Sequence, residues 1–355
     1  MKQITLGIAG TAKNTGKTTT TRALLEHFQG LGVTLGLTSI GYDGESVDNV
    51  TGLPKPRLYL DRGQLVAVAE RCLAVSSAGV KVLERTDLIT PLGRVVCGRV
   101  VKEGLLVVAG PNQIAHLGQI RRWMAGQGAG LTLVDGALNR LAPMVETDGL
   151  ILATGASRST DLDRLALEAG SLGLICSLPG DGELPAGLPA ADQSVVYDHG
   201  GRVLARLPAS LFDPEGLNSL GPVIPGAAGL YCPGVVSGRC LERLGELPFP
   251  AGMIFSFADP VKILLSGDLI AARSFLEKIC RKGGNVVCRR PLPLLAVTVN
   301  PFYPNYRFGT HDYKPAYVDG ELLLSGIRAA VGVPVFDLAR EGAGGLAGVI
   351  EKLIR

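Results

Sequence analysis

A short segment near the start of the chain could bind phosphate. Residues 10–18, Gly-Thr-Ala-Lys-Asn-Thr-Gly-Lys-Thr, follow an apolar run of strand length and precede apolar residues at helical spacing. The backbone N–H groups of such a loop point at a bound anion, and the helix N-terminus adds partial positive charge. A glycine-rich turn that carries Lys-Thr by chance is the alternative. We predict that the nucleotide-binding residues are Gly10, Thr11, Lys13, Asn14, Thr15, Gly16, Lys17, Thr18 and Thr19.

Several residues at the end of this loop and further along the chain are of types that bind phosphate or Mg²⁺. Lys17 can reach terminal phosphates as a catalytic residue, and the Thr18 hydroxyl can ligate Mg²⁺. Asp135 directly follows the apolar run of residues 131–134, where phosphoryl-transfer proteins place an acidic metal ligand. We therefore predict Thr18 and Asp135 as metal ligands, although an Asp-Gly turn is the alternative. Arg140 either stabilises phosphate charge or is an exposed arginine at a helix start.

Two further segments carry residue types suited to binding. Residues 154–161 place small polar side chains between a strand and a helix, where ordinary helix capping would use the same residues. Residues 302–317 follow a strand that ends in Asn300-Pro301 and contain six aromatic residues. These aromatics indicate a lid or a protein-contact surface. The alternative is that the aromatic side chains of a long loop pack into the core.

Composition excludes several classes of protein. The formal net charge of +3 over 355 residues is too small to predict nucleic-acid binding. The seven cysteines form no CxxC pair and the four histidines are scattered, so we expect no metal cluster of these residues. No apolar run is long enough to cross a membrane, and no signal peptide precedes the first strand. We therefore expect a cytoplasmic protein without a membrane partner.

Strands and helices alternate through most of the chain, which predicts an α/β fold with a parallel sheet covered on both faces. A β-hairpin is predicted from residues 94–100 and 105–108, and a helix from residues 64–73. The Gly-, Pro- and Ala-rich residues 180–191 are the best linker. We expect a nucleotide-binding domain at 1–180 and a second, smaller α/β lobe at 192–355, whose strands include residues 294–299.

The spacing of the loop at residues 10–18 resembles a known class of proteins. Five residues separate Gly10 from Gly16, and this longer form at the N-terminus is similar to dethiobiotin synthetase and to the N-terminal lobes of cobyrinic acid synthases. Both belong to the SIMIBI class of P-loop NTPases, and the resemblance covers about the first 160 residues. It implies a P-loop fold that binds a nucleotide with Mg²⁺. ATP is the expected nucleotide because no Asn-Lys-x-Asp run is present, and GTP stays open.

The SIMIBI resemblance also assigns a role to the acidic segment after the second strand. In that class this position holds a switch-like loop whose acidic group meets Mg²⁺ or the attacking water. Asp43 and Glu45 are the candidate catalytic residues, with Asp43 also a candidate metal ligand and Asp48 behind them. A solvent-exposed turn is the alternative. Lys13 lies near the place where some members carry a second lysine.

Two functions remain from this sequence. The first is an ATP-dependent ligase of the dethiobiotin synthetase type, acting on a small carboxylate or CO₂. Directly after the second strand this chain has Thr38-Ser-Ile-Gly41 where that family has a Lys-Pro loop, and it has Asp135-Gly-Ala-Leu in place of Glu-Gly-Ala-Gly. The second is an ATPase that remodels a partner protein.

A looser resemblance over the whole chain favours the ATPase. It rests on short motifs that include Ala109-Gly-Pro111, Asp135-Gly-Ala-Leu-x-Arg140 and Thr298-Val-Asn-Pro301. These are similar to the accessory ATPases encoded beside lysine aminomutases. The resemblance implies reactivation of a cobalamin-dependent partner enzyme. Formation of a homodimer stays open.

Overall fold

The computed structural model describes residues 2–41, 58–180 and 192–354. The chain forms two compact units: the first contains Met1–Ala166 and Leu294–Arg355, and the second contains Leu167–Pro293. The sequence-based boundaries of 1–180 and 192–355 therefore differ from the structure. Residues 294–354 belong with the N-terminal residues because the strand that starts at Leu294 pairs inside the first unit's sheet.

The helices and strands follow one another along the chain as follows. Up to residue 180 they are β1 (Ile4–Gly10), α1 (Lys17–Gly30), β2 (Leu35–Ser39), β3 (Leu58–Leu60), β4 (Leu65–Ala69), α2 (Glu70–Ala74), β5 (Gly79–Thr90), β6 (Gly93–Lys102), β7 (Gly104–Leu106), α3 (Ile114–Gly126), β8 (Leu131–Ala137), β9 (Gly149–Gly155) and α4 (Leu162–Cys176). From residue 192 to 293 they are β10 (Gln193–Tyr197), β11 (Val203–Pro208), β12 (Gly229–Cys232), α5 (Gly238–Glu246), β13 (Ile254–Phe257), α6 (Val261–Leu264), α7 (Leu269–Arg281) and β14 (Asn285–Cys288). The remainder are β15 (Leu294–Asn300), β16 (Phe302–Arg307), β17 (Asp312–Tyr317), α8 (Gly320–Ala330), β18 (Val335–Phe336), α9 (Leu338–Glu341) and α10 (Gly344–Ile354). Short 3₁₀ helices lie at Leu138–Arg140, Ala142–Glu146, Gly216–Leu220 and Ile224–Gly226.

The first unit is built on one large mixed sheet. Its strand order is β18-β15-β9-β1-β8-β2-β4-β6-β5. The strands from β18 to β4 are mutually parallel, whereas β6 near one edge pairs antiparallel with both of its neighbours, β4 and β5. The predicted α/β fold with a mostly parallel sheet is confirmed.

Helices cover both faces of this sheet. Val66 and Val68 of β4 face a core that includes Phe28 of α1 and Ile350 of α10. Leu65 and Ala67 of β4 instead belong to a smaller core with side chains of α3. Because successive strand residues point to opposite faces, a strand buried on both sides is apolar throughout.

This continuous apolar run explains why one sequence prediction was wrong. The helix predicted at residues 64–73 is instead strand β4 followed by the short helix α2. A fully buried strand and a buried helix segment have the same apolar composition, so periodicity does not separate them.

The hairpin prediction was also partly wrong. Strand β6 pairs with β5 before it, whereas β7 pairs with β3. Half of the residues of β5 are exposed at the edge of the sheet, and its sequence lacks the apolar alternation that marks a half-buried strand.

The second unit contains its own sheet, in the order β11-β10-β12-β13-β14. Strands β12, β13 and β14 are parallel, and β10 and β11 form an antiparallel hairpin at one edge. Phe255 and Phe257 of β13 each contact Phe275 of α7 edge to face. The smaller α/β lobe was predicted at residues 192–355, whereas the second unit of the structure occupies residues 167–293.

Candidate functional site

The loop between β1 and α1 has an unusual backbone conformation. Asn14 has a φ of 61° and Gly16 a φ of 90°, both in the left-handed region. Glycine adopts this region without a steric penalty, and asparagine tolerates it better than most residues. Helix α1 starts immediately afterwards, and its first backbone bond runs from the N–H of Thr20 to the carbonyl of Gly16. The amides of residues 17–19 therefore lack an acceptor inside the helix, which is the arrangement that binds anions.

Neighbouring strands hold the start of the loop in place. The N–H of Thr11 donates to the carbonyl of Ala153 at 3.0 Å, and its hydroxyl donates to that of Thr154 at 3.0 Å. Inside the loop, the buried hydroxyl of Thr15 donates to the carbonyl of Ala12 at 2.9 Å. These bonds hold residues 11, 12 and 15 of the loop in place before any ligand binds, so binding requires little ordering of that part of the chain.

Lys17 and Asp135, predicted from separate motifs, lie together. The Nζ atom of Lys17 is 3.1 Å from Oδ2 of Asp135, and each side chain is about one-fifth exposed (21% and 20%). Strands β1 and β8 are adjacent and parallel, with Ile8 beside Asp135 in register. Their carboxyl ends therefore meet at one edge of the sheet, which is where open α/β sheets bind ligands.

Other predicted residues of the site occupy different environments. Thr18 is half-buried in the first turn of α1, whereas Lys13 and Thr19 are exposed. Arg140 lies against Gly41 at the end of β2: a Cβ atom added to Gly41 would be 3.0 Å from Nη1 of the arginine. Within residues 2–41, 58–180 and 192–354 there is no group of three or more His, Cys, Asp or Glu placed to hold a metal ion. The predicted residues Asp43, Glu45 and Asp48 lie outside the described residues.

Asn300 belongs to this site, although sequence reasoning assigned it to the second lobe. Its Nδ2 atom donates to the carbonyl of Asn14 in the loop at 2.8 Å, and its Oδ1 accepts from the N–H of Phe302 at 3.2 Å. Its own carbonyl accepts from the N–H of Ala156 after β9. One sequence feature could have placed Asn300 here: the apolar run of residues 294–299 is as continuous as those of the other buried parallel strands.

The cysteines offer little nucleophilic chemistry. Of the seven, only Cys280 is exposed. Burial raises the pKa of Cys97, Cys176 and Cys232 to about 12 each, because a thiolate is poorly solvated in an apolar interior. At neutral pH these three thiols stay protonated, and the thiolate is the reactive form.

Comparisons with known proteins add no family to these observations. No protein-family model matches the chain, and neither the curated proteins nor the solved structures contain a match. Among the described residues, none of the helices has both the length and the apolar character needed to cross a membrane. The contacts between the loop, Asp135 and Asn300 therefore have to support the functional argument by themselves.

Proposed function

We propose that this chain is an Mg²⁺-dependent P-loop ATPase whose hydrolysis cycle remodels or reactivates a partner protein. One observation carries the nucleotide site: Lys17, at the start of α1, lies 3.1 Å from Asp135 at the carboxyl edge of the sheet. A lysine, a carboxylate and unbonded helix amides at one point are the groups that phosphoryl transfer requires. The proximity of these groups supports a nucleotide site more strongly than either sequence motif does alone.

The residues of the loop divide the work of binding and charge stabilisation. Lys17 and the amides of residues 17–19 stabilise negative charge on the terminal phosphates as the γ-phosphate is attacked by water in line. Asp135 provides a counter-ion to Lys17 before nucleotide binds, since a half-buried lysine without one would be costly to desolvate. The proposed water-orienting residues remain Asp43 and Glu45.

The donor set near the loop suits magnesium. Thr18 and Asp135 supply a hydroxyl and a carboxylate, and Mg²⁺ in nucleotide sites commonly takes one or two protein oxygens while phosphate and water fill the other positions. The proposed metal ligands are therefore these two residues together with Asp43. A bound Mg²⁺ supplies neutralisation of charge on the β- and γ-phosphate oxygens.

An exposed aromatic surface favours a protein partner over a small substrate. Strands β16 and β17 and the turn between them form an antiparallel pair, the aromatic ribbon (residues 302–317). Phe308 is 82% exposed and Tyr317 68% exposed, while Tyr306 and Tyr313 contact each other across the pair. Aromatic residues are enriched in protein interfaces, where their large surfaces become buried.

The nature of the partner follows only from the loose resemblance to aminomutase-associated ATPases. On that basis the partner would be a cobalamin-dependent enzyme from which damaged cofactor is exchanged.

The second candidate function is an ATP-dependent ligase of the dethiobiotin synthetase type. The spacing between Gly10 and Gly16 favours it, whereas Thr38-Ser-Ile-Gly41 in place of a Lys-Pro directly after the second strand weighs against it.

Substitution of Lys17 tests the nucleotide site. We expect Lys17→Ala to lower phosphate release from Mg-ATP by about a hundredfold, because it removes the cation that stabilises the terminal phosphates. Phosphate release and equilibrium binding of a fluorescent ATP analogue are the measurements. Lys102→Ala, at an exposed position of β6, is the matched control and should behave as the unsubstituted protein. Unchanged binding and turnover in Lys17→Ala would show that the nucleotide site is elsewhere.

A second assay separates the two candidate functions. Phosphate release is measured with ATP alone, with bicarbonate or small carboxylic acids, and with a cobalamin-dependent aminomutase. We expect stimulation by the enzyme partner and none by the acids. Turnover that requires an acid and yields a ligated product would establish the ligase instead. The same assay with GTP determines the choice of nucleotide.

A further inference from the structure

We propose that Asn300 is a positioning residue that couples nucleotide occupancy of the loop at residues 11–16 to the order of the aromatic ribbon. This inference rests on the proposed function, since it requires a nucleotide in that loop. Both polar atoms of one side chain make the connection. Nδ2 of Asn300 donates to the carbonyl of Asn14 in the loop, and Oδ1 accepts from the N–H of Phe302, the first residue of the ribbon.

The backbone of Asn300 is fixed, so its side chain is the part that can respond. Asn300 and Gly155 pair in register on the neighbouring strands β15 and β9. A Cβ atom added to Gly155 would lie only 2.0 Å from the carbonyl oxygen of Asn300, which shows how closely the two backbones approach. The Asn300 carbonyl also accepts from the N–H of Ala156. A shift of the loop therefore acts on the side-chain torsions of Asn300 and not on its strand.

The geometry of a carboxamide transmits such a shift. Nitrogen and oxygen belong to one planar group, so a rotation that follows the carbonyl of Asn14 also moves Oδ1 relative to the N–H of Phe302. Asn14 has a left-handed backbone conformation and lies beside Gly16, at the point where the proposed phosphate would contact the loop. Occupancy of the loop changes the position of this carbonyl more readily than that of a residue within a strand.

The ribbon is suited to respond because, among the described residues, its backbone hydrogen bonds to the rest of the first unit lie at its base. At the base, the hydroxyl of Ser157 donates to the carbonyl of Phe302, and the N–H of Val318 donates to the carbonyl of Pro301. Further out, the side chains of residues 305–314 are exposed. A two-stranded pair of this kind is only marginally stable by itself, so a change at its first residue alters its order.

Substitution of Asn300 by aspartate isolates the contact with the loop. Asn300→Asp keeps the oxygen that accepts from Phe302 but replaces the donor to Asn14 with a second oxygen, which repels that carbonyl. We expect nucleotide affinity to fall about tenfold, the loss of one hydrogen bond with added repulsion. Asn305→Asp makes the same chemical change at an exposed position of the ribbon and is the matched control.

Hydrogen exchange of the full chain, with and without a saturating non-hydrolysable ATP analogue and Mg²⁺, reads out the coupling. In the unsubstituted protein and in Asn305→Asp, nucleotide should slow amide exchange in residues 302–317 several-fold. In Asn300→Asp, nucleotide bound at saturation should leave ribbon exchange unchanged. If Asn300→Asp does not fold, Asn300→Ser serves instead, since its shorter side chain loses the contact with the loop.

Three results would overturn one or both of the proposals. Ribbon exchange that does not respond to bound nucleotide in the unsubstituted protein overturns the coupling and leaves the ATPase proposal standing. An equal response in Asn300→Asp also overturns it. Absence of nucleotide binding to the unsubstituted protein overturns the proposed function, and the coupling with it.

Discussion

At the scale of single residues, side chains from distant parts of the sequence meet at the end of one loop. Lys17 and Asp135 could be named as site candidates from sequence because each adjoins a recognisable element: Lys17 ends a glycine-bounded loop and Asp135 follows a buried apolar run. The structure places the two side chains in an ion pair. Asn300 could not be placed in this way. Its importance depends on β15 lying beside β9, and this pairing joins residues that are almost 150 positions apart in the sequence.

Gly155 is a residue at which the backbone geometry makes a sharp prediction. Because an added Cβ would clash with the carbonyl oxygen of Asn300, Gly155→Ala should lower the free energy of unfolding by about 3 kcal/mol. Urea denaturation followed by circular dichroism measures this value. Gly326→Ala is the control: it lies within helix α8 with no neighbour in reach, so alanine should raise stability by about 0.5–1 kcal/mol. Equal effects of the two substitutions would contradict the close approach of β9 and β15.

At the scale of helices and strands, the sequence predicts correctly those elements whose residue pattern fits only one type of secondary structure. Strand β1, the loop and helix α1 were correctly anticipated because an apolar run, glycines and a helical spacing follow in order. Strand β4 was not, since burial on both faces removes the alternation that distinguishes strand from helix. The sequence of β5 does not predict a strand for a different reason: at the edge of the sheet half of its residues are exposed, and regular apolar alternation is lost.

Helix α10 provides a test of element packing in the first unit. Its buried residues Leu346, Ala347, Ile350 and Ile354 recur at helical spacing and join the core that contains Phe28 of α1. Ile350→Ala should therefore lower the free energy of unfolding by about 2–5 kcal/mol. Lys352→Ala, on the exposed side of the same helix, should change it by less than about 0.5 kcal/mol. The two values come from thermal or urea unfolding, and a neutral Ile350→Ala would exclude the packing of α10 on α1.

At the scale of the whole molecule, the sequence predicted an α/β protein with two units but not their boundaries. The Gly- and Pro-rich residues 180–191 have the composition of a linker, which predicts an N-terminal domain before them and a C-terminal domain after them. Composition cannot reveal that strands β15 and β18 return to the first sheet, because strand pairing is a property of the tertiary structure.

Fragments of the chain distinguish the unit boundaries of the structure from the boundaries predicted from sequence. Residues 1–180 alone lack β15, β18 and α10, so β9 would become an unpaired edge and the core around α1 would lose one of its helices. We expect this fragment to show no cooperative thermal unfolding. Residues 167–293, which are continuous in sequence, should unfold cooperatively as a separate unit. Cooperative unfolding of fragment 1–180 would favour the boundaries predicted from sequence. Calorimetry and dispersion of amide signals in NMR spectra are the measurements.

The discontinuity of the first unit has a consequence for synthesis on the ribosome. Translation is vectorial, and domains tend to fold as they emerge. The loop at residues 11–16 is made almost at once, but the asparagine that holds its carbonyl at Asn14 is made nearly 290 residues later. The second unit is complete in sequence before that point, whereas the central sheet has to wait for β15. A nascent chain should therefore acquire its proposed nucleotide affinity only near the end of translation, so truncated products would not compete with the finished protein for nucleotide.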